Sequence, residues 1–406
     1  MEERDHILDV LKSVRNALDN ENYVEIKNLS NGVIHSASID QDPDIVSLAV
    51  VIYSLSKIIE RQDYKEEKNW DVFYKSYVKE IDLLITNLSK NNIDEFRFHV
   101  QHVSELVNNL TGNLKSYLQD VFRRASVNKA SRIYEHGISL EKTAKMLGIS
   151  IWELSEYTGK TGISNVNLSI TMPISQRIKM AEKVFNNCPN LMFDAGPLIN
   201  FSMNGSLEIL KKLKKEFKGQ FLITNSVKDE TMDYPEKIKE FELGALRIEG
   251  LLKDKIIEMP NFSEKQKQEL ETKTKEIMNL ANSTFKTKRR DIHIIDRGES
   301  SIIALSTIMK SNCALVIDER TTRMLCENPE NLRKLLEKKL HTKIIANKEN
   351  YKFFQQFNVI RSIELAYIAY KRKLFDLEDP RELEAMLYGL KLKGASVSEE
   401  EIQELL

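Results

Sequence analysis

The chain has 406 residues, 41% hydrophobic and 30% charged, with a formal net charge of −1. That length accommodates roughly two to three domains, the apolar share supports packed cores, and the charge balance excludes a global basic field for nucleic acid while leaving room for local ones. Cys188, Cys313 and Cys326 have no paired spacing, which excludes a disulfide framework or a zinc knuckle; Cys313 reads as core. The N-terminus lacks a signal-peptide pattern. The strongest apolar stretch, 47–59, is shorter than the ~20 residues that span a bilayer, so the expectation is a cytoplasmic protein with no membrane partner.

Residues 1–120 predict an all-helical region. Ile45, Leu48, Val51, Ile52 and Leu55 share one helical face, Phe73, Val78, Ile81, Leu84 and Ile85 a second, and Val100, Val103, Leu106, Val107 and Leu110 a third. Breaks are expected at Asn31-Gly32, Gln41-Asp42-Pro43-Asp44 and Asn91-Asn92. His99 and His102 lie one helical turn apart, but with no Cys partner or Glu-x-x-His pattern they read as a helix face rather than a metal site.

Residues 121–165 predict a helix-turn-helix. Ser139 caps a helix through Leu147, Gly148 turns the chain, and Ser150 caps a second helix through Tyr157. The run from Ser131 through Gly148 to Leu154 resembles a small family of prokaryotic antitoxins often encoded beside a PIN-domain toxin. The second helix offers Ser150, Trp152, Glu153 and Glu156 but no Arg, so it fits protein packing better than DNA reading. A protein or DNA partner and a homo-oligomer both stay open.

Residues 166–187 read as a linker and helix, with Gly162 and Ser164 in a flexible approach to it. Four elements follow. Asp194 comes after Leu191-Met192-Phe193, Glu230 shortly after Phe221-Leu222-Ile223-Thr224, Glu299 opens the helical run Ser300 to Met309, and Asp318 comes after Ala314-Leu315-Val316-Ile317. Short apolar strands alternating with helices predict an open parallel α/β sheet, with a crevice at the carboxyl ends of its strands. Carboxylates gathered there repel, so a hard cation, Mg²⁺ or Mn²⁺, is their natural partner. Asp194 and Glu299 also suit helix N-termini, which is the plainer role for such residues.

In this order Phe193-Asp194-Ala195-Gly196-Pro197, Thr224-Asn225-Ser226-Val227-Lys228-Asp229-Glu230, Gly298-Glu299-Ser300-Ser301 and Val316-Ile317-Asp318-Glu319-Arg320 resemble the motifs of PIN-domain metal-dependent nucleases. The chain departs from the family in carrying Ala195 and Gly196 where Ser or Thr often follows the first acid. The resemblance implies a PIN-like parallel sheet sandwiched by helices over 188–350, with a charged helical insertion near 236–290. It implies a toxin-like endoribonuclease hydrolysing RNA to 5′-phosphate and 3′-hydroxyl products. Asp194, Glu230, Glu299 and Asp318 would bind the metal, with Glu319 as a fifth acid or a solvent-facing residue. Lys286, Lys288, Arg289 and Arg290, together with Arg320 and Arg323, are the candidate phosphate contacts; solvated loops and salt bridges are their other role. The antitoxin resemblance implies that residues 159–190, through Arg177 and Lys179, either cover the acids in cis or form an ordinary interdomain helix. Residues 351–406 read as a C-terminal helical tail, with Ser398 and Glu401 capping its last helix. The rival to a nuclease is a non-catalytic regulator that binds its partner through the helix-turn-helix and N-terminal helices.

Overall fold

The computed structural model describes residues 4–40, 42–60, 69–110, 112–161, 163, 165–288, 290–310, 314–375, 379 and 381–406. Gly162, Ser164, Arg289 and Cys313 lie outside the described residues. The chain forms two compact units, Met1–His136 with Thr143–Ile149, and Gly137–Lys142 with Ser150–Leu406. No helix among the described residues is long and apolar enough to cross a membrane.

The first unit is helical: Arg4–Asp19, Tyr23–Asp40, Pro43–Glu60, Trp70–Ser89, Ile93–Asn108 and Gly112–Glu135. Pro43 opens its helix at the position where a missing N–H costs nothing. Pro43–Glu60 packs against Tyr23–Asp40, Ile93–Asn108 and Gly112–Glu135. This central placement explains why Ile45, Val46, Leu48, Ala49, Val51 and Ile52 are all buried around it. Trp70, Phe73, Tyr77, Ile81, Leu84 and Leu88 form the inward stripe of Trp70–Ser89, while Val78 and Ile85 are half-exposed. The expected break at Asn31-Gly32 is absent, since Tyr23–Asp40 runs through it. Burial of Ile26, Val33, Ile34 and Ala37 outweighs the ~1 kcal/mol that glycine costs within a helix.

A buried lysine lies in this unit. Lys129 is buried, with Nζ 4.1 Å from the Tyr53 ring centre and donating to Asn31 Oδ1 at 2.8 Å. Burial lowers its pKa from 10.5 to about 7, helped by the charges of Arg132 and Lys27. Unfolding restores the ordinary value, so the unfolded chain binds the extra proton between about 7 and 10.5 and stability rises with pH across that window. Lys129→Met should reduce the rise by up to about 1.4 kcal/mol per pH unit, as read by denaturant unfolding at pH 7, 8 and 9.

The second unit holds a four-stranded sheet in the order β2-β1-β4-β6, all parallel: β1 (Asn190–Phe193), β2 (Gln220–Leu222), β4 (Ala314–Val316) and β6 (Asn358–Ile360). A separate antiparallel ribbon pairs β3 (Phe285–Lys286) with β5 (Ile345–Ala346). The sheet is mixed with helices, and its strands are buried nearly throughout, as parallel strands covered on both faces must be. The segment 351–406, expected to be a helical tail, also supplies β6, which completes the sheet. Helices Glu242–Lys253 and Glu264–Asn282 fill the insertion, the latter opened by a Ser263–Gln266 capping box. Ser398 and Glu401 cap Glu399–Leu405 reciprocally.

Candidate active site

The order β2-β1-β4-β6 places the switch in connection direction between β1 and β4, where parallel α/β sheets open a crevice at their carboxyl ends. Asp194 follows β1 and caps Ala195–Met203, with Oδ2 accepting from Gly196 N at 3.4 Å. Glu299 lies in the first turn of Arg297–Met309 and accepts from Asp296 N at 3.2 Å, closing a capping box. The capping role and the gathering of acids thus coincide.

Glu230 sits in the turn Asp229–Asp233. A Cβ on Gly298 would stand 2.8 Å from its Oε1, so a side chain there would make the Glu230 carboxylate shift. The Trp152 indole donates to the Glu230 carbonyl at 3.3 Å and holds the turn.

The two acids after β4 divide their work. Asp318 is buried and engaged through both oxygens: Asn200 Nδ2 donates at 2.6 Å and Ser362 N at 2.8 Å. Its neighbour Glu319 faces the other acids, hydrogen-bonded to Glu299 and accepting from Leu140 N at 3.3 Å. Both acids of the fourth motif thus meet the group: Asp318 lies beside Asp194, whose pKa it helps raise, and Glu319 beside Glu299. Asp296 and Glu141 complete the cluster. Asp296 Oδ2 accepts from Ser139 Oγ and, at 2.7 Å, from Lys142 N. The capping spacing of Asp296 and Glu299 was present in the sequence as a signal for the first; Glu141, 158 positions before Glu299, carried none.

Burial, then neighbouring carboxylates, raise these groups. Asp194 is pushed well up by burial and Glu299, and Glu230 by burial, Glu141 and Asp194. Glu299 is pushed well up by burial and Glu319, and donates the shared proton. Glu319 rises to about 7 through burial, with Asp194 and Asp296 adding to it. Burial also raises Asp318, against the hydrogen bonds from Ser362 and Asn200.

An all-carboxylate donor set suits Mg²⁺ or Mn²⁺, and mutual repulsion is what such an ion relieves. The oxygens are not drawn into a coordination shell, because among the described residues only Glu80, His99 and His102 have ligand atoms all within 4.8 Å of one another.

The expected phosphate contacts separate into two kinds. Lys286, Lys288 and Arg290 are exposed. Arg320 and Arg323 are buried: Arg320 donates to the Ile163 carbonyl at 3.0 Å, and Arg323 to the Ser169 carbonyl at 3.0 Å. They hold the chain leading into Ile174–Asn187 and are not presented to a substrate. Arg177 likewise does not reach the acids, since its guanidinium grips Glu327 through two bonds of 2.9 and 2.7 Å. Lys179 is exposed. The groups that meet the cluster belong to 137–142, an earlier segment than the one expected. Helices cover Leu140–Leu147 and Ile151–Gly159, with Gly148 at φ 63° between them. The second is spent on packing: Trp152 is buried against Phe241, and Glu156 pairs with Lys393 at 2.7 Å.

Comparisons with protein-family models, curated proteins and solved structures find no match.

The raised Glu319 has a measurable consequence. Its folded-state pKa exceeds the ordinary 4.5, so its stabilising contribution is complete below that value and is lost as pH rises toward about 7. At about 1.4 kcal/mol per unit, the loss is about 3 kcal/mol. Glu319→Gln, which mimics the protonated form, should give a melting temperature that falls less between pH 5 and pH 8 in metal-free buffer; an unchanged slope would refute the assignment.

Proposed function

We propose that the acidic sheet edge is the active site of a PIN-type, metal-dependent endoribonuclease, toxin-like and regulated by its own chain. The observation that carries this reading is the gathering of Asp194, Glu230, Glu299 and Glu319, from four separated motifs, into one buried group whose charges raise one another's pKa values. A bound Mg²⁺ or Mn²⁺ would neutralise these acids, lower the pKa of water at the scissile phosphate and stabilise charge on the departing oxygen. Asp194, Glu230, Glu299 and Glu319 would hold the ion. Asp318 orients the edge through Asn200 and Ser362. Lys286, Lys288 and Arg290, exposed near the third motif, supply a local basic field for RNA phosphates.

A regulatory reading is favoured by the segment 137–142. The backbone N–H groups of Leu140 and Lys142 donate to Glu319 and Asp296. Hydrogen bonds already made by these carboxylates compete with a cation and a phosphate, so the segment acts as an inhibitory cover over the nuclease site.

Asp194→Asn should abolish Mg²⁺- or Mn²⁺-dependent cleavage of single-stranded RNA, a loss of at least about 100-fold, with circular dichroism unchanged. Cleavage that persists in excess chelator would sink the reading. Gly298→Ala should cost most of the activity without changing any charge, because it displaces Glu230. Ser139→Asp sets a like charge against Asp296 and should loosen the cover. Cleavage should rise about tenfold, the scale of one lost charge-assisted hydrogen bond; a rate equal to wild type would exclude the cover.

A further inference from the structure

The first unit contains a second polar cluster, independent of the sheet edge. His99 and His102 lie three residues apart on Ile93–Asn108, so their imidazoles leave the same face. Glu80, a buried carboxylate on Trp70–Ser89, meets both: Oε2 is 2.7 Å from His99 Nδ1, and Oε1 is 3.1 Å from His102 Nδ1. Hydrogen bonding accounts for only the first of these contacts. His102 Nδ1 is buried and makes no hydrogen bond despite its closeness to Oε1, and leaving a buried polar atom unsatisfied is costly. Two imidazoles and a carboxylate converging on one point make a ligand set. Metal–ligand bonds of about 2.0–2.2 Å imply donor–donor separations of about 3 Å, in line with the separations here.

The surroundings hold the rings in place. Phe98 stacks on His102 with centroids 5.7 Å apart and planes 11° apart, and meets His99 edge-on at 5.3 Å. Glu95 Oε2 lies 3.9 Å from His99 Nε2, on the side where an outer carboxylate orients a ligating histidine and increases its basicity. The His102 side chain is one-third exposed (33%), which gives an ion a way in.

We propose that Glu80, His99 and His102 bind a borderline divalent transition-metal ion of the Zn²⁺ and Co²⁺ class, clamping the two helices together and leaving at least one coordination position for water. Imidazole nitrogens select such ions over Mg²⁺ and Ca²⁺, which separates this site chemically from the all-carboxylate edge.

Full-length protein stripped of metal and titrated with Co²⁺ in the presence of millimolar Mg²⁺ tests the site, because Co²⁺ in a low-coordinate nitrogen-containing site absorbs strongly in the visible. The expected result is saturable visible absorption at one Co²⁺ per chain, displaced by Zn²⁺, with affinity falling at least about tenfold in His102→Gln and in Glu80→Gln. X-ray absorption of the wild-type complex should count two imidazoles, a readout that does not depend on any variant folding. No Co²⁺ uptake, uptake without imidazole scattering, or unchanged affinity in folded His102→Gln would each overturn the proposal.

Discussion

Carboxylates crowded at the carboxyl end of a buried parallel sheet repel one another where water can do little to screen them, and much of the second unit answers that repulsion. Each acid is met by a different device. Asp194 takes the N–H of a helix start, and Glu299 takes the capping bond of its own helix. Asp318 takes an amide and a backbone N–H, and Glu319 shares a proton with Glu299. The opening turn of Leu140–Leu147 adds two further backbone donors. Backbone donors are fixed in place by the helices that carry them, so they hold the acids without the entropy that long basic side chains would lose.

The arginines follow a complementary logic. Arg177 and Arg323 share Glu327, and Arg361 joins Glu364 and Glu401, all away from solvent. Arg361 also donates to the Ser396 carbonyl, and Ser396 N donates to the Asp318 carbonyl, so the tail is tied to the sheet edge. Buried ion pairs add little net stability because desolvation offsets their attraction, yet removing one partner is costly. Here they fix where the C-terminal segment and the 159–190 stretch dock, which is why side chains that look like phosphate contacts serve packing.

Some of this was legible in the residues themselves. The apolar faces of the first unit, the caps at Ser139, Ser150 and Ser398, and the strands before Asp194 and Asp318 follow from spacing within a few residues, because helix and strand periods and capping bonds are local. The same local signals overran at Asn31-Gly32, where packing on both sides of the glycine outweighs its weak preference to end a helix. They also missed β6, whose three residues carry too little pattern of their own and are strands because β4 offers hydrogen bonds.

The residues therefore determined the acids' positions along the chain, the strands and helices that carry them, and an all-oxygen donor chemistry at the sheet edge. Tertiary structure decided how two adjacent acids are engaged, Asp318 by Asn200 and Ser362 and Glu319 by Glu299 and Leu140, all far away in sequence. It also decided that Glu80 meets His99 and His102, because the carboxylate and the imidazoles stand on two separate packed helices. Spacing along a chain records what one element can do alone. Convergence between elements depends on how buried surfaces fit, and no local pattern carries that information.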